Sequence, residues 1–148
     1  MRSLHLATPD DLAKLLPLVT AFHAEMGYDT ETEALSAALS PLLDGSPHGA
    51  VWLIGPRRAP VGYIAVTFGW SIEYGGLDAI MDELFIRPAV RGRGMGYEAV
   101  AGIAKALKEG GVRALHLEVR RDDEGTQRFY RRARFAPRDV YMFMSRVL

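Results

Sequence analysis

Apolar positions along the chain recur with two periods, one near two residues and one near 3.6, and the switches between them mark ten elements. Ser3–Ala7 alternates as a short strand. Thr8-Pro9-Asp10-Asp11 reads as a helix start, with Thr8 as N-cap, Pro9 at the first helical position and acids in the first turn. Leu12, Leu15, Leu16, Val19, Phe22 and Met26 follow at helical spacing as far as Gly27, with Pro17 expected to bend the helix. A capping box, Thr30-x-x-Glu33, opens a second helix whose face is Leu35, Ala38, Leu39 and Leu42. Gly45 to Pro47 ends it.

Ala50–Ile54 and Val61–Trp70 read as strands joined by the turn Gly55-Pro56-Arg57-Arg58. Glu73-Tyr74-Gly75-Gly76 makes the next hairpin loop and leads into a strand ending at Ile86. A helix from Met95 carries Val100, Ile103 and Leu107 on one face and closes at Gly110-Gly111. Ala114–Val119 is a fifth strand, Thr126–Ala133 a short helix and Val140–Val147 a final strand. The order β-α-α-β-β-β-α-β-α-β predicts an α/β fold with helices on both faces of a mixed sheet. The fourth and fifth strands should be parallel, joined by a right-handed helical crossover.

Between the fourth strand and the long helix stands Arg91-Gly92-Arg93-Gly94-Met95-Gly96. Glycines let the backbone approach a ligand closely, and a helix N-terminus presents unpaired N–H groups with roughly half a positive charge. A strand, a glycine turn and a helix start together make a cradle suited to a diphosphate.

Composition narrows the field. With 148 residues the chain is expected to be one domain, 1–148. It has no cysteine, which removes disulfides, thiolate metal sites and a cysteine nucleophile and fits a cytoplasmic setting. No apolar run reaches the length of a membrane span. Net charge is zero, so the broad basic surface of a nucleic-acid binder is not expected. His5, His23, His48 and His116 show no metal-ligand spacing and read as solvated or core histidines.

Asp82-Glu83-Leu84-Phe85-Ile86-Arg87-Pro88 running into Arg91–Gly96 resembles the fourth strand and pyrophosphate loop of the GNAT superfamily of N-acyltransferases. Val119, Asp123, Thr126, Phe129-Tyr130 and Phe135 stand where that family usually shows V-x3-N-x2-A-x2-FY-x4-F. Asp123 replaces the usual Asn, and Arg134 the usual glycine before the last Phe. The acid pair and the run Phe129-Tyr130-Arg131-Arg132 are similar to small-molecule amine acetyltransferases of the spermidine/spermine type. The resemblance implies the acyl-CoA N-acyltransferase fold, with a six- to seven-stranded mixed sheet. It also implies transfer of acetyl from acetyl-CoA to a primary amine, by direct attack in a ternary complex.

By the same resemblance, backbone N–H groups of Gly92, Arg93, Gly94, Met95 and Gly96, with Arg91, hold the pyrophosphate. Backbone groups of Phe85 and Ile86 face the pantetheine arm, and Asp123 and Tyr130 complete the cofactor site. Tyr130 is the candidate general acid, since a neutral phenol can hold a proton against a departing thiolate. Asp82 and Glu83 are adjacent on a strand and so point to opposite faces. Asp82 should share a face with Leu84 and Ile86, and Glu83 with Met81 and Phe85. Either is a candidate base, with Glu83 slightly preferred. Glu25, Tyr28, Glu73 and Tyr74 lie in loops that line the acceptor site in the family. The implied acceptor is a small-molecule amine, with a protein or peptide amine as alternative, and a non-catalytic acyl-CoA-binding module as a second. The apolar last strand is a candidate edge for a homodimer. A dinucleotide-binding oxidoreductase is disfavoured, because Tyr97 stands where the third glycine of G-x-G-x-x-G belongs.

Overall fold

A computed structural model of the chain describes residues 3–148. Alternating apolar residues pair into the strands β1 (Leu4–Leu6), β2 (Gly49–Ile54), β3 (Gly62–Ser71), β4 (Gly76–Ile86) and β5 (Ala114–His116). They form one sheet in the order β1-β2-β3-β4-β5. The first four are antiparallel and β5 runs parallel to β4, joined through α3 (Met95–Glu109). The parallel pairing of these two strands across a helix is what the order of elements predicts.

Helix α1 (Leu12–Met26) follows a 3-10 turn, Pro9–Asp11, in which Thr8 and Asp11 form a capping box. The helix continues through Pro17 and stops at Gly27, whose φ of 75° is the left-handed conformation glycine adopts freely. Helix α2 (Thr32–Leu43) starts one residue later than expected: Glu31 is its N-cap and makes no side-chain capping bond. Leu15, Leu18 and Val19 of α1 and Leu35, Leu39 and Leu43 of α2 bury against Val51, Leu53, Tyr63, Ala65 and Phe85 of the sheet. Ile64 and Val66, which alternate with Tyr63 and Ala65, are fully buried on the opposite face, and α3 buries Ala99, Val100, Ile103 and Leu107.

Two expectations for the sheet need correction. The fifth strand ends at His116, not Val119. Among the described residues, no strand forms over 140–147, so the sheet has five strands where six or seven were expected. Alternation states which residues share a face but not what they pair with, and this run is open, with Val140 87% and Val147 96% exposed. By its contacts the chain divides into two compact units, one ending at Glu118 and one of Val119–Leu148. The second holds α4 (Glu124–Arg132).

Candidate functional site

After β4, a 3-10 turn over Pro88–Val90 leads into the glycine run. Arg91 is extended, Gly92 has φ 80° and Gly94 φ 82°, and Gly94 is the N-cap of α3. The first amide to enter the helical ladder is that of Glu98, which donates to the Gly94 carbonyl at 3.0 Å. The Met95 and Gly96 amides therefore lie ahead of the first helical hydrogen bond. A side chain at Gly92 or Gly94 would meet nothing within 4 Å, so glycine is there for backbone conformation, not for want of space.

Alongside the loop, β4 outruns its parallel neighbour. Ladder pairs with β5 cover Asp78, Ala79 and Ile80, and among the described residues the β4 edge from Met81 to Ile86 has no strand partner on that side. Arg87 donates to the Val61 carbonyl at 2.8 Å, beside the Gly62–Ile86 pair. By antiparallel alternation Ile86 then turns its own N–H and C=O to the open edge, and Phe85 turns its groups toward β3. Of the two backbone positions expected to face a ligand, Ile86 has that orientation and Phe85 does not. The Ile86 carbonyl already accepts from Arg91 Nε at 2.7 Å, while Arg91 lies over the Phe85 ring, 5.5 Å from its centroid. β3 comes so close here that a Cβ on Gly62 would collide with the Phe85 carbonyl oxygen.

A bulge in the same strand separates the two acids. Ala65 pairs with Glu83 but Val66 pairs with Met81, so Asp82 is an extra, exposed residue on β4. The slip also breaks the expected alternation. Glu83 keeps Phe85 on its face, the one packed against α1 and α2, whereas Met81 passes to the other face with Val66. Glu83 is thereby aimed at α1.

Its carboxylate is held from two sides. Tyr63 Oη donates to Oε1 at 2.8 Å, and His23 Nε2 lies 2.7 Å from Oε2. His23 and Glu83 are only 14% and 16% exposed. Burial, and after it the charge of Glu83, pushes the Tyr63 phenol far above its ordinary range, so it remains a donor at any working pH. Phe22, Tyr28 and Phe85 supply the rings around this group. Phe22 meets Tyr63 and Phe85 edge-on at 6.3 and 6.2 Å, and Tyr28 meets His23 at 5.1 Å.

Of the residues expected at an acceptor site, Glu25 and Tyr28 lie beside these features. Glu25 Oε2 pairs with Arg91 Nη2 at 2.7 Å, tying the end of α1 to the glycine run. Tyr28 is half exposed against His23. Glu73 and Tyr74 are not brought there. They lie in the β3–β4 hairpin, before Gly76, about 20 Å along the strand from Glu83. The Tyr74 ring neighbours His116 instead, at 5.4 Å.

Asp123 and Tyr130 belong to the second unit. Asp123 caps α4, accepting from the Thr126 N–H at 3.1 Å and from Thr126 Oγ1 at 2.7 Å. The Thr126 hydroxyl first, and its amide second, hold that carboxyl below its usual range. Tyr130 stacks on Phe129 at 5.0 Å and meets Phe135 edge-on at 5.6 Å. Burial pushes its phenol up to about 12.

His23, Tyr63 and Thr30 were not anticipated as site residues. One signal for His23 was present: it stands four residues after the buried Val19, a polar side chain one turn along an apolar face.

Residues 15–135 match the family model described as acetyltransferase (GNAT) family. No curated protein matches the sequence. Among solved structures, an integron cassette protein from the mobile metagenome of Cole Harbour Salt Marsh is 33% identical, over 99% of this chain and 90% of that one, with a TM-score of 0.86. A candidate acetyltransferase from Arthrobacter sp. FB24 is 29% identical over 100% and 97%, with a TM-score of 0.84. An aminoglycoside acetyltransferase from an uncultured soil metagenomic sample, solved in complex with sisomicin, shares the fold at 17% identity over 98% and 95%, with a TM-score of 0.78.

Proposed function

The chain belongs to the GNAT acetyltransferase family, and within it we propose an N-acetyltransferase that moves acetyl from acetyl-CoA to the primary amine of a small molecule. The residues fit the nucleotide. Left-handed Gly92 and Gly94, the Met95 and Gly96 amides that open α3 and the β4 edge beyond its ladder with β5 offer the donors that a diphosphate and an amide-bearing arm require. Bound acetyl-CoA supplies an acetyl group activated as a thioester.

One observation carries the reading. The bulge at Asp82 turns Glu83 into a half-closed nook, where its two partners are a phenol and an imidazole. A carboxylate there accepts the proton that the amine must lose before its lone pair can form the N–C bond. Asp82, extra and exposed, is the weaker candidate. Tyr130, whose phenol burial keeps neutral, would be the group that supplies a proton to the leaving thiolate when acetyl-CoA is bound. Both acceptor classes occur on this fold, in an aminoglycoside acetyltransferase bound to sisomicin and in a ribosomal-protein-alanine N-acetyltransferase, and the amine panel below separates them.

The test has two parts. Calorimetry with CoA should register binding to the wild-type chain. Gly94→Ala should weaken it about tenfold, because a residue other than glycine pays roughly 1–2 kcal/mol for φ near 80° and nothing packs against the loop to hold it there. Thiol release from acetyl-CoA is then followed against aminoglycosides, polyamines, amino acids and peptides. Turnover confined to peptides refutes the small-molecule reading, and binding without turnover of any amine leaves a CoA-binding module.

A further inference from the structure

Resting on the reading of Glu83 as the base, we propose that His23 is its positioning residue, fixed by Thr30 in the tautomer that donates from Nε2 to Glu83. Thr30 Oγ1 lies 3.1 Å from His23 Nδ1, His23 Nε2 lies 2.7 Å from Glu83 Oε2, and Tyr63 Oη donates to Oε1 at 2.8 Å. A carboxylate only accepts, so Nε2 carries the hydrogen. A neutral ring then has a bare Nδ1, and the group facing it is a hydroxyl that is able to donate. The donors run in one direction: Thr30 to His23, His23 to Glu83.

Thr30 adds an independent observation. The sequence offers its hydroxyl as the N-cap of α2, yet α2 begins after Glu31 with no side-chain cap. The hydroxyl is committed to the imidazole instead. Around the ring stand Phe22 and Tyr28 edge-on and Glu83 from the sheet; Tyr63 meets the far oxygen of Glu83, Asp82 is its exposed neighbour at the bulge, and the charge of Glu25 is matched by Arg91. Glu83 Oε2 thus has a single ring nitrogen to orient it, and the carboxylate's remaining lone pairs are left for an incoming amine.

The experiment combines kinetics with nitrogen-15 spectra of the imidazoles in the full chain. His23→Ala should lower kcat about 10–100-fold, the worth of one hydrogen bond to a charged group, with KM for acetyl-CoA within about twofold of wild type. His23→Gln, whose amide nitrogen reaches the same point as Nε2, should recover to within about threefold of wild type. A His23→Gln chain no better than His23→Ala, or a His23→Ala chain with undiminished kcat, overturns the proposal. The spectra should place the His23 hydrogen on Nε2 in wild type and show a larger Nδ1-bound share in Thr30→Val, where Glu83 alone still selects the tautomer; a hydrogen on Nδ1 in wild type, or spectra unchanged in Thr30→Val, overturns it as well. A wild-type chain that turns over no amine refutes Glu83 as the base, while the spectra still decide whether Thr30 and Glu83 hold the ring.

Discussion

Two carboxylates of the first unit are withdrawn from solvent, and their company differs in kind. Asp11, 4% exposed, accepts from the Thr8 N–H at 2.8 Å, from Thr8 Oγ1 at 3.2 Å and from Arg57 Nη2 at 2.8 Å. An amide, an alkyl hydroxyl and a guanidinium do not give up protons near neutral pH, so this carboxylate is a permanent anion closing a helix start. Glu83 is held by a phenol and an imidazole, with part of its surface open. Burial is similar enough that it does not separate the two. What separates them is whether the surrounding groups leave the carboxylate room to take and release a proton.

The largest effect that contrast predicts is at Glu83. Glu83→Gln should lower kcat by about 10²–10⁴, the range for a positioned base, while the chain stays folded at the assay temperature by circular dichroism. Asp82→Asn, at the bulge, should lose less than about tenfold by the same reasoning. The reverse ordering would make the bulged acid the base and remove Glu83 from that role.

Asp11 should answer the opposite way. Asp11→Asn is expected to leave kcat unchanged and to cost about 1–3 kcal/mol in urea unfolding, because a charged acceptor of three donors becomes a neutral one. Burial raises this carboxyl, but the Thr8 amide and Arg57 outweigh it, and the folded value lies below the ordinary 3.8. Folding therefore disfavours its protonation. Its contribution is complete above pH 3.8 and drains away as pH falls through the lower folded value. Wild type and Asp11→Asn should accordingly converge in stability in acid. A gap that persists there would mean that Asp11 acts through packing alone.

The same contrast marks what was legible beforehand. The Thr8–Asp11 corner is local, three residues in sequence, and its capping pattern is written in the chain; so is the glycine run, whose φ values its residue type implies. The Glu83 nook joins positions 23 and 63 to 83, and no local pattern brings those together. The bulge made it harder still, since strict alternation keeps Glu83 on a face with Met81 and one inserted residue undoes that. Thr30 read as a helix cap because the competing partner, His23, is adjacent only in space. The run after Val140 shows the converse, a strand-like pattern that joins no ladder among the described residues.

The smallest effect tests whether a departure from the family pattern that touches only the backbone leaves the chemistry alone. Arg134 stands where the resemblance calls for glycine, and it has φ 73°, alone among the described non-glycine residues in being positive. It follows Ala133, the C-cap of α4, in a left-handed stop: the Arg134 amide donates to the Arg131 carbonyl at 3.0 Å and the Phe135 amide to the Tyr130 carbonyl at 2.9 Å. The side chain is exposed, so its removal forfeits little packing. A left-handed residue with a Cβ costs about 1–2 kcal/mol, of which glycine's greater freedom in the unfolded chain takes back about 0.5–1. Arg134→Gly should therefore raise stability by at most about 1 kcal/mol in urea unfolding and leave kcat where it was. A loss of stability would mean that the arginine side chain holds a contact worth more than the strain, and a fall in kcat would tie this turn to the position of Tyr130, four residues before it.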